Sequence, residues 1–202
     1  MCAARHVDPH LMKLQSVPLR QIERQAAEKR VAWYRRQDPA SMPQAPATPR
    51  QGYDLLVRRY LALADEDAPV VAEDDRIITW ISRNDCDTLR ACRRLDLDTR
   101  RVCRGAYEKP AQALLSQLDP ALRFERDYGS IRPHAEGCRE SIRRLDFEAC
   151  MRLALAEARV SLSEGNKGYG AVVVMNGEVL ARAHDTGTTG RDPLAHGEVN
   201  AI

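Results

Sequence analysis

Apolar positions along the chain recur at helical spacing in some stretches and alternate or run together in others, and the two patterns predict different elements. Over 18–37, Leu19, Ile22, Ala26 and Trp33 share one helical face, with Arg24, Arg35 and Arg36 outside it. Ser16 is a candidate cap and Pro18 lies near the first turn. Pro39, Pro43, Pro46 and Pro49 then predict a stiff, extended linker over 38–50. Leu55, Leu56, Tyr60 and Leu63 predict a helix over 53–64, and the β-branched and aromatic run RIITWIS a strand over 76–82. Helices are expected over 84–95, 98–107 and 109–118. The alternation in LRFERDYGSI predicts a half-buried strand over 122–131, with a second short strand over 137–142 to pair with it.

The last segment has the clearest helical pattern, over 146–163, with Phe147, Cys150, Met151, Ala154, Leu155 and Ala158 as its apolar face. Gly165 and Gly168 end it. The run AVVVM, 171–175, is wholly apolar, as in a strand buried on both faces. Asn176-Gly177 is a strong hairpin signal, and 178–183 returns as a second strand. A polar loop follows, then a helix from about Pro193 that is still running at Ile202. A helix, a hairpin and the start of another helix cannot close a core, so this segment reads as part of a domain.

Charge sharpens these boundaries. Residues 1–50 carry a net +5, residues 51–145 balance to zero, and residues 146–202 carry a net −3. The three segments are therefore read as a basic helical extension with its proline-rich linker, an α+β domain, and the incomplete domain. Charged residues at 30% with balanced signs exclude a disordered chain. No run approaches 18 consecutive apolar residues, which excludes a membrane helix, and the first residues lack the apolar stretch of a secretory signal. A cytoplasmic location is expected, where six cysteines serve as thiols or metal ligands rather than structural disulfides. A basic helix can be a nucleic-acid arm, but one that docks on its own protein is the commoner case.

The candidate chemistry lies in DPLAHGEVNAI, 192–202, where His196 and Glu198 stand two residues apart at the start of a helix. An imidazole can bind zinc, and a carboxylate two positions on can reach a metal-bound water without binding the metal. This H-x-E pattern is the first half of the zinc deaminase signature, whose second half is P-C-x-x-C. Together with FEACMRLALAEA and GYGAVVVMNGEVLARAHD, the motif makes 145–202 resemble the cytidine and deoxycytidylate deaminase-like superfamily, closest to its tRNA adenosine, guanine and cytosine deaminases. The resemblance implies an α/β/α three-layer domain present as its helix, β-hairpin and start of a second helix. It implies Zn²⁺ as cofactor, with His196 as a ligand and two cysteine ligands expected beyond Ile202. It further implies Glu198 as the catalytic proton carrier, with Asp185, Ala195 and Gly197 against the substrate. Many members have Asn where this chain has Asp185, which leaves the substrate base open. The partner implied is a nucleobase or nucleoside, free or held in RNA, and a homodimer is a common assembly. The chain by itself is expected to lack activity.

Cys86, Cys92, Cys103 and Cys138 fall in the middle segment without any C-x-x-C spacing, so a shared site requires the fold to bring them together. Small buried thiols filling helix faces are the ordinary alternative. The run from Asn84 to Ile142 resembles the C-terminal part of the L-2-amino-thiazoline-4-carboxylic acid hydrolase-like family, through its successive cysteines and the pair Gly137-Cys138. If the segment has chemistry, thiolates are the expected agents, favoured by Arg90, Arg93, Arg101 and Arg104. Two readings therefore stand beside hydrolytic deamination: a cysteine-based metal, redox or hydrolase-like module, and a nucleic-acid binder using residues 1–37.

Overall fold

The computed structural model describes residues 9–175 and 178–202. The chain forms two compact units, divided between Arg144 and Leu145.

In the first unit a four-stranded antiparallel sheet has the order β1 (Val70–Glu73), β2 (Ile77–Ser82), β4 (Cys138–Arg144), β3 (Leu122–Arg126). Period-two alternation sends Ile78, Trp80, Leu122, Phe124 and Ile142 to one face, where they pack with Tyr53, Leu56, Leu114 and Leu115. The register sets Trp80 opposite Glu140 and Glu140 opposite Arg126, so an ionic pair crosses the same inner face. Glu140 is buried, yet both its oxygens are used. Oε2 accepts from Trp80 Nε1 at 3.0 Å and Ser82 Oγ at 2.7 Å, and Oε1 accepts from Arg126 Nε at 2.8 Å. Burial alone would lower the Arg126 pKa, but the Glu140 carboxylate outweighs it and holds Arg126 above the usual arginine range.

Helices α4 (Asp87–Leu95), α5 (Thr99–Ala106) and α6 (Glu108–Leu118) lie where the periodicity places them. The basic segment is helix α2 (Leu19–Arg35), with Pro18 as N-cap, preceded by a short α1 (Pro9–Ser16) that the pattern does not predict. It packs against α5 and α6 with Ile22 fully buried. That is the docked helix, not a free arm.

Two expectations for this unit need correction, and one strand goes unpredicted. Residues 38–50 are no extended spacer: Met42 and Ala47 enter the core, and Thr48 caps α3 (Pro49–Tyr53) through a capping box with Gln51. The helix expected over 53–64 is that α3 widening into a π-helical stretch, Asp54–Tyr60. Strand β1 was not expected, because the exposed VVAE carries no alternation to signal it.

The second unit is α7 (Phe147–Ser163), the antiparallel pair β5 (Gly170–Met175) and β6 (Glu178–His184), and α8 (Gly197–Asn200). The hairpin signal Asn176-Gly177 lies outside the described residues. Only part of the apolar face expected of α7 packs: Phe147, Met151 and Leu155 are 51%, 60% and 52% exposed. Instead the helix approaches β5 on its small-residue side. A Cβ on Gly170 would stand 2.1 Å from the Ala154 carbonyl oxygen and 2.6 Å from the Ala158 nitrogen, so only glycine permits this approach. The AVVVM strand, expected buried on both faces, is half-buried. Mixed helices and antiparallel sheets place the chain in the α+β class.

Candidate functional site

The end of β6, the loop after it and the first turn of α8 form one hydrogen-bonded assembly. Asp185 follows β6 and is fully buried. Its backbone nitrogen donates to Tyr169 O at 2.8 Å, and its carbonyl accepts from Ser161 Oγ at 2.9 Å, tying the loop to α7. The Asp185 Oδ1 accepts from Gly187 N at 3.2 Å, whereas Oδ2 is buried without a hydrogen-bond partner among the described residues. Asn166 Oδ1 gathers the nitrogens of Thr188 and Thr189 at 3.1 and 2.9 Å, which fixes the loop from its other side.

His196 is the N-cap of α8, with extended backbone and no side-chain capping bond. Its carbonyl accepts from Val199 N and Asn200 N, which starts the helix, and Glu198 occupies the first turn. Both side chains are exposed. A carboxylate in a first helical turn is favoured by the helix dipole.

The turn is anchored by residues the motif does not highlight. Asn200 Nδ2 donates to His184 O at 2.9 Å, Thr186 Oγ1 at 3.1 Å and Ala195 O at 3.3 Å. Asn200 is therefore a positioning residue for His196, and its place four residues after His196, one helical turn on, is the signal that could have found it. Gly197 is buried, its Cα facing Ala171 N, Ala183 O and Tyr169 O, each 3.4 Å from where a Cβ would lie. Its side-chain position thus points at the hairpin backbone, while the Ala195 carbonyl is occupied by Thr186 N and Asn200.

His184, at the end of β6, is clasped between two carboxylates, Nδ1 at 2.9 Å from Glu157 and Nε2 at 3.0 Å from Glu164. The Glu157 hydrogen bond raises the His184 pKa above its usual value; burial opposes it, and Glu164 adds to the rise.

His196 can serve as one zinc donor. A zinc site needs at least three protein donors, and among the described residues no group of three or more His, Cys, Asp or Glu side chains is placed to hold a metal ion. Cys150, half-buried on α7, is a free thiol.

In the first unit, Cys103 lies within electrostatic reach of Cys86, Cys138 and Cys92, although no three such side chains among the described residues are placed to hold a metal ion. Cys86 is the N-cap of α4, Cys92 lies near its end, Cys103 is on α5, and Cys138 opens β4 opposite Ser82. Burial pushes Cys92 up to about 11 and Cys103 up to about 12, the neighbouring cysteines adding to both shifts. This corrects the expectation that nearby arginines keep these sulfurs ionised: Arg126 does pull Cys103 down, but desolvation wins.

Residues 145–202 match the family described as the cytidine and deoxycytidylate deaminase zinc-binding region. The C-terminal region of this chain belongs to the cytidine and deoxycytidylate deaminase-like superfamily. Over 55 residues it is 36% identical to a tRNA-specific adenosine deaminase of Aquifex aeolicus (strain VF5), covering 27% of this chain and 36% of that one. It is 40% identical over 55 residues to the tRNA-specific adenosine deaminase of Bacillus subtilis (strain 168), covering 27% and 34%. The match thus spans about a third of the curated relatives. No solved structure matches the chain. The resemblance of the middle segment to a thiazoline hydrolase gains no support from these comparisons.

Proposed function

We propose that the second unit supplies the histidine–glutamate half of a zinc-dependent hydrolytic deaminase acting on an amino-bearing ring carbon of a nucleobase. Adenosine in tRNA is the first substrate to test, because it is what the two relatives' names specify. The observation that carries this reading is the anchored first turn of α8, with His196 at the N-cap and Glu198 two residues on.

His196 offers one neutral nitrogen to zinc, and the remaining donors have to come from polypeptide other than the described residues. Zinc, when bound, lowers the pKa of water toward neutrality. Glu198 takes up a proton and delivers it to the departing amine, a role open to an exposed carboxylate that binds no metal itself. Asn200 holds the turn so that the two side chains keep their spacing. Asp185, buried with one oxygen unpartnered among the described residues, would fix the loop beside the substrate.

A segment exchange tests this. Residues 145–202 replace the matched stretch of the Bacillus subtilis relative, and the exchanged protein is assayed for zinc and for inosine formed in tRNA. Retained zinc and turnover, with both lost in His196→Ala, support the reading. A folded exchange protein that holds zinc equally well with His196→Ala contradicts it. By itself the 202-residue chain is expected to bind zinc weakly and show no turnover, as one imidazole leaves the ion largely hydrated.

A further inference from the structure

We propose that the outer face of α2, with the neighbouring arginines of α5, binds the phosphate backbone of RNA. The choice of RNA rests on the deaminase reading, whereas the surface itself belongs to the first unit. The packed side of α2 is accounted for: Ile22 is buried, and Glu23 pairs with Lys109 of α6 at 3.4 Å. The other side carries Arg20, Arg24, Lys29 and Arg35, all exposed, and Arg36 is exposed at the C-cap. Among the described residues none of these five side chains forms an ion pair. Glu28 is the single exposed acid over 19–36.

Helical geometry aligns the cations. Successive residues turn by about 100°, so Arg20, Arg24 and Arg35 fall within about 60° of one another around α2 and span about 22 Å along it. Helix α5 extends the surface at the N-terminal end of that row. The two helices approach closely enough that a Cβ on Gly105 would stand 3.1 Å from Leu19 Cδ1, and Leu19 directly precedes Arg20. Arg104 adjoins Gly105 and Arg101 lies one turn before it; both are exposed, and α5 has no acidic residue. The Arg104 guanidinium lies over the Tyr128 ring, 4.2 Å from its centroid, which restrains one of these charges.

The partner follows from what the surface has and what it lacks. A docking site for a folded protein has an apolar, often aromatic centre inside a polar rim. No large apolar side chain of α2 or α5 is exposed, and Gln21 and Gln25 stand among the cations. A row of fixed positive charges about 22 Å long, with polar groups between them, instead suits an extended polyanion of regular charge spacing. Charge is also divided along the chain, with a net +5 over 1–50 and a net −3 over 146–202. An acidic deaminase segment repels the phosphates of an RNA substrate, and the α2–α5 surface supplies the attraction that offsets it. Contacts of this kind position the backbone and carry no sequence information.

The test uses the full 202-residue chain and labelled tRNA, with binding followed by fluorescence anisotropy across a salt series. With about four or five phosphates neutralised, log Kobs should fall against log[salt] with a slope of about −3 to −4.5. Replacing Arg20, Arg24 and Arg35 together by Gln should weaken binding at least about 10-fold at low salt and flatten the slope by about 2–3. The pair Arg83→Gln and Arg139→Gln, on the sheet rather than on α2 or α5, should bind as the unsubstituted chain does. No binding at low salt, a salt-independent affinity, or a sheet pair that loses as much as the α2 triple would each overturn the proposal. So would polyglutamate that displaces tRNA at equal charge, or duplex DNA bound more tightly than tRNA. The salt slope is read on the unsubstituted chain and holds even if a variant does not fold. The exchange protein carries only 145–202 of this chain, so its zinc and turnover test the deaminase reading independently of this surface.

Discussion

Glu140 organises a cluster of polar side chains inside the first unit's core. It satisfies Trp80, Ser82 and Arg126 at once, from a position where an unpaired charge would be costly. Removing one partner of a buried pair leaves the other uncompensated, so Glu140→Ala should destabilise the unit by about 3–5 kcal/mol. Urea unfolding followed by tryptophan fluorescence measures it, and a loss under about 1 kcal/mol would show that the network is not structural. His184 makes a second prediction, this time of pH dependence. Its folded pKa is raised by Glu157 and Glu164, with Arg182 also 3.3 Å from Glu157. The stabilisation is therefore complete below the free histidine value near about 6.5 and is lost as pH rises through the higher folded value. Protection factors in 145–202, taken relative to intrinsic base-catalysed exchange, should fall over that rise, and His184→Gln should flatten the dependence. Unchanged protection across it in the unsubstituted chain would contradict the clasp.

At the scale of elements, two glycines in the second unit look alike in sequence and differ in consequence. Gly170→Ala places a methyl group against the α7 backbone, which cannot yield, and should cost about 1–3 kcal/mol. Gly197→Ala meets its neighbours at ordinary contact distance and gains helix propensity, so its effect should stay within about 0.5 kcal/mol. Thermal unfolding of the two variants separates them, and equal losses would mean that the α7–β5 approach is not close. Periodicity made α4, α5, α6, α7 and β2 legible because each has a clear apolar pattern. It drew the packing side of α7 too wide: Ala154 and Ala158 of the expected face do approach β5, while Phe147, Met151 and Leu155 stand exposed. It also missed β1, whose strand character comes from pairing with β2 rather than from its own residues. In the site, His196 and Glu198 were legible as a spaced pair. Asn200 was not read, because its place one turn after His196 takes on meaning only once its amide is seen to fasten the loop.

For the molecule as a whole, the division near residue 145 separates a closed α+β unit from a unit that leaves much of its apolar surface exposed. Among the described residues no helix is long and apolar enough to cross a membrane. The basic α2 lies docked on the first unit, so Ile22→Ala should destabilise that unit by about 2–5 kcal/mol. An arm free to bind nucleic acid would show no such cost. The deaminase reading rests on Glu198 carrying a proton without holding the metal. The most direct measurement is zinc content and tRNA deamination in the exchange protein bearing Glu198→Gln. Full zinc with turnover reduced by at least about 10²-fold is the predicted result; undiminished turnover, or zinc lost together with the carboxylate, would contradict the role assigned to Glu198.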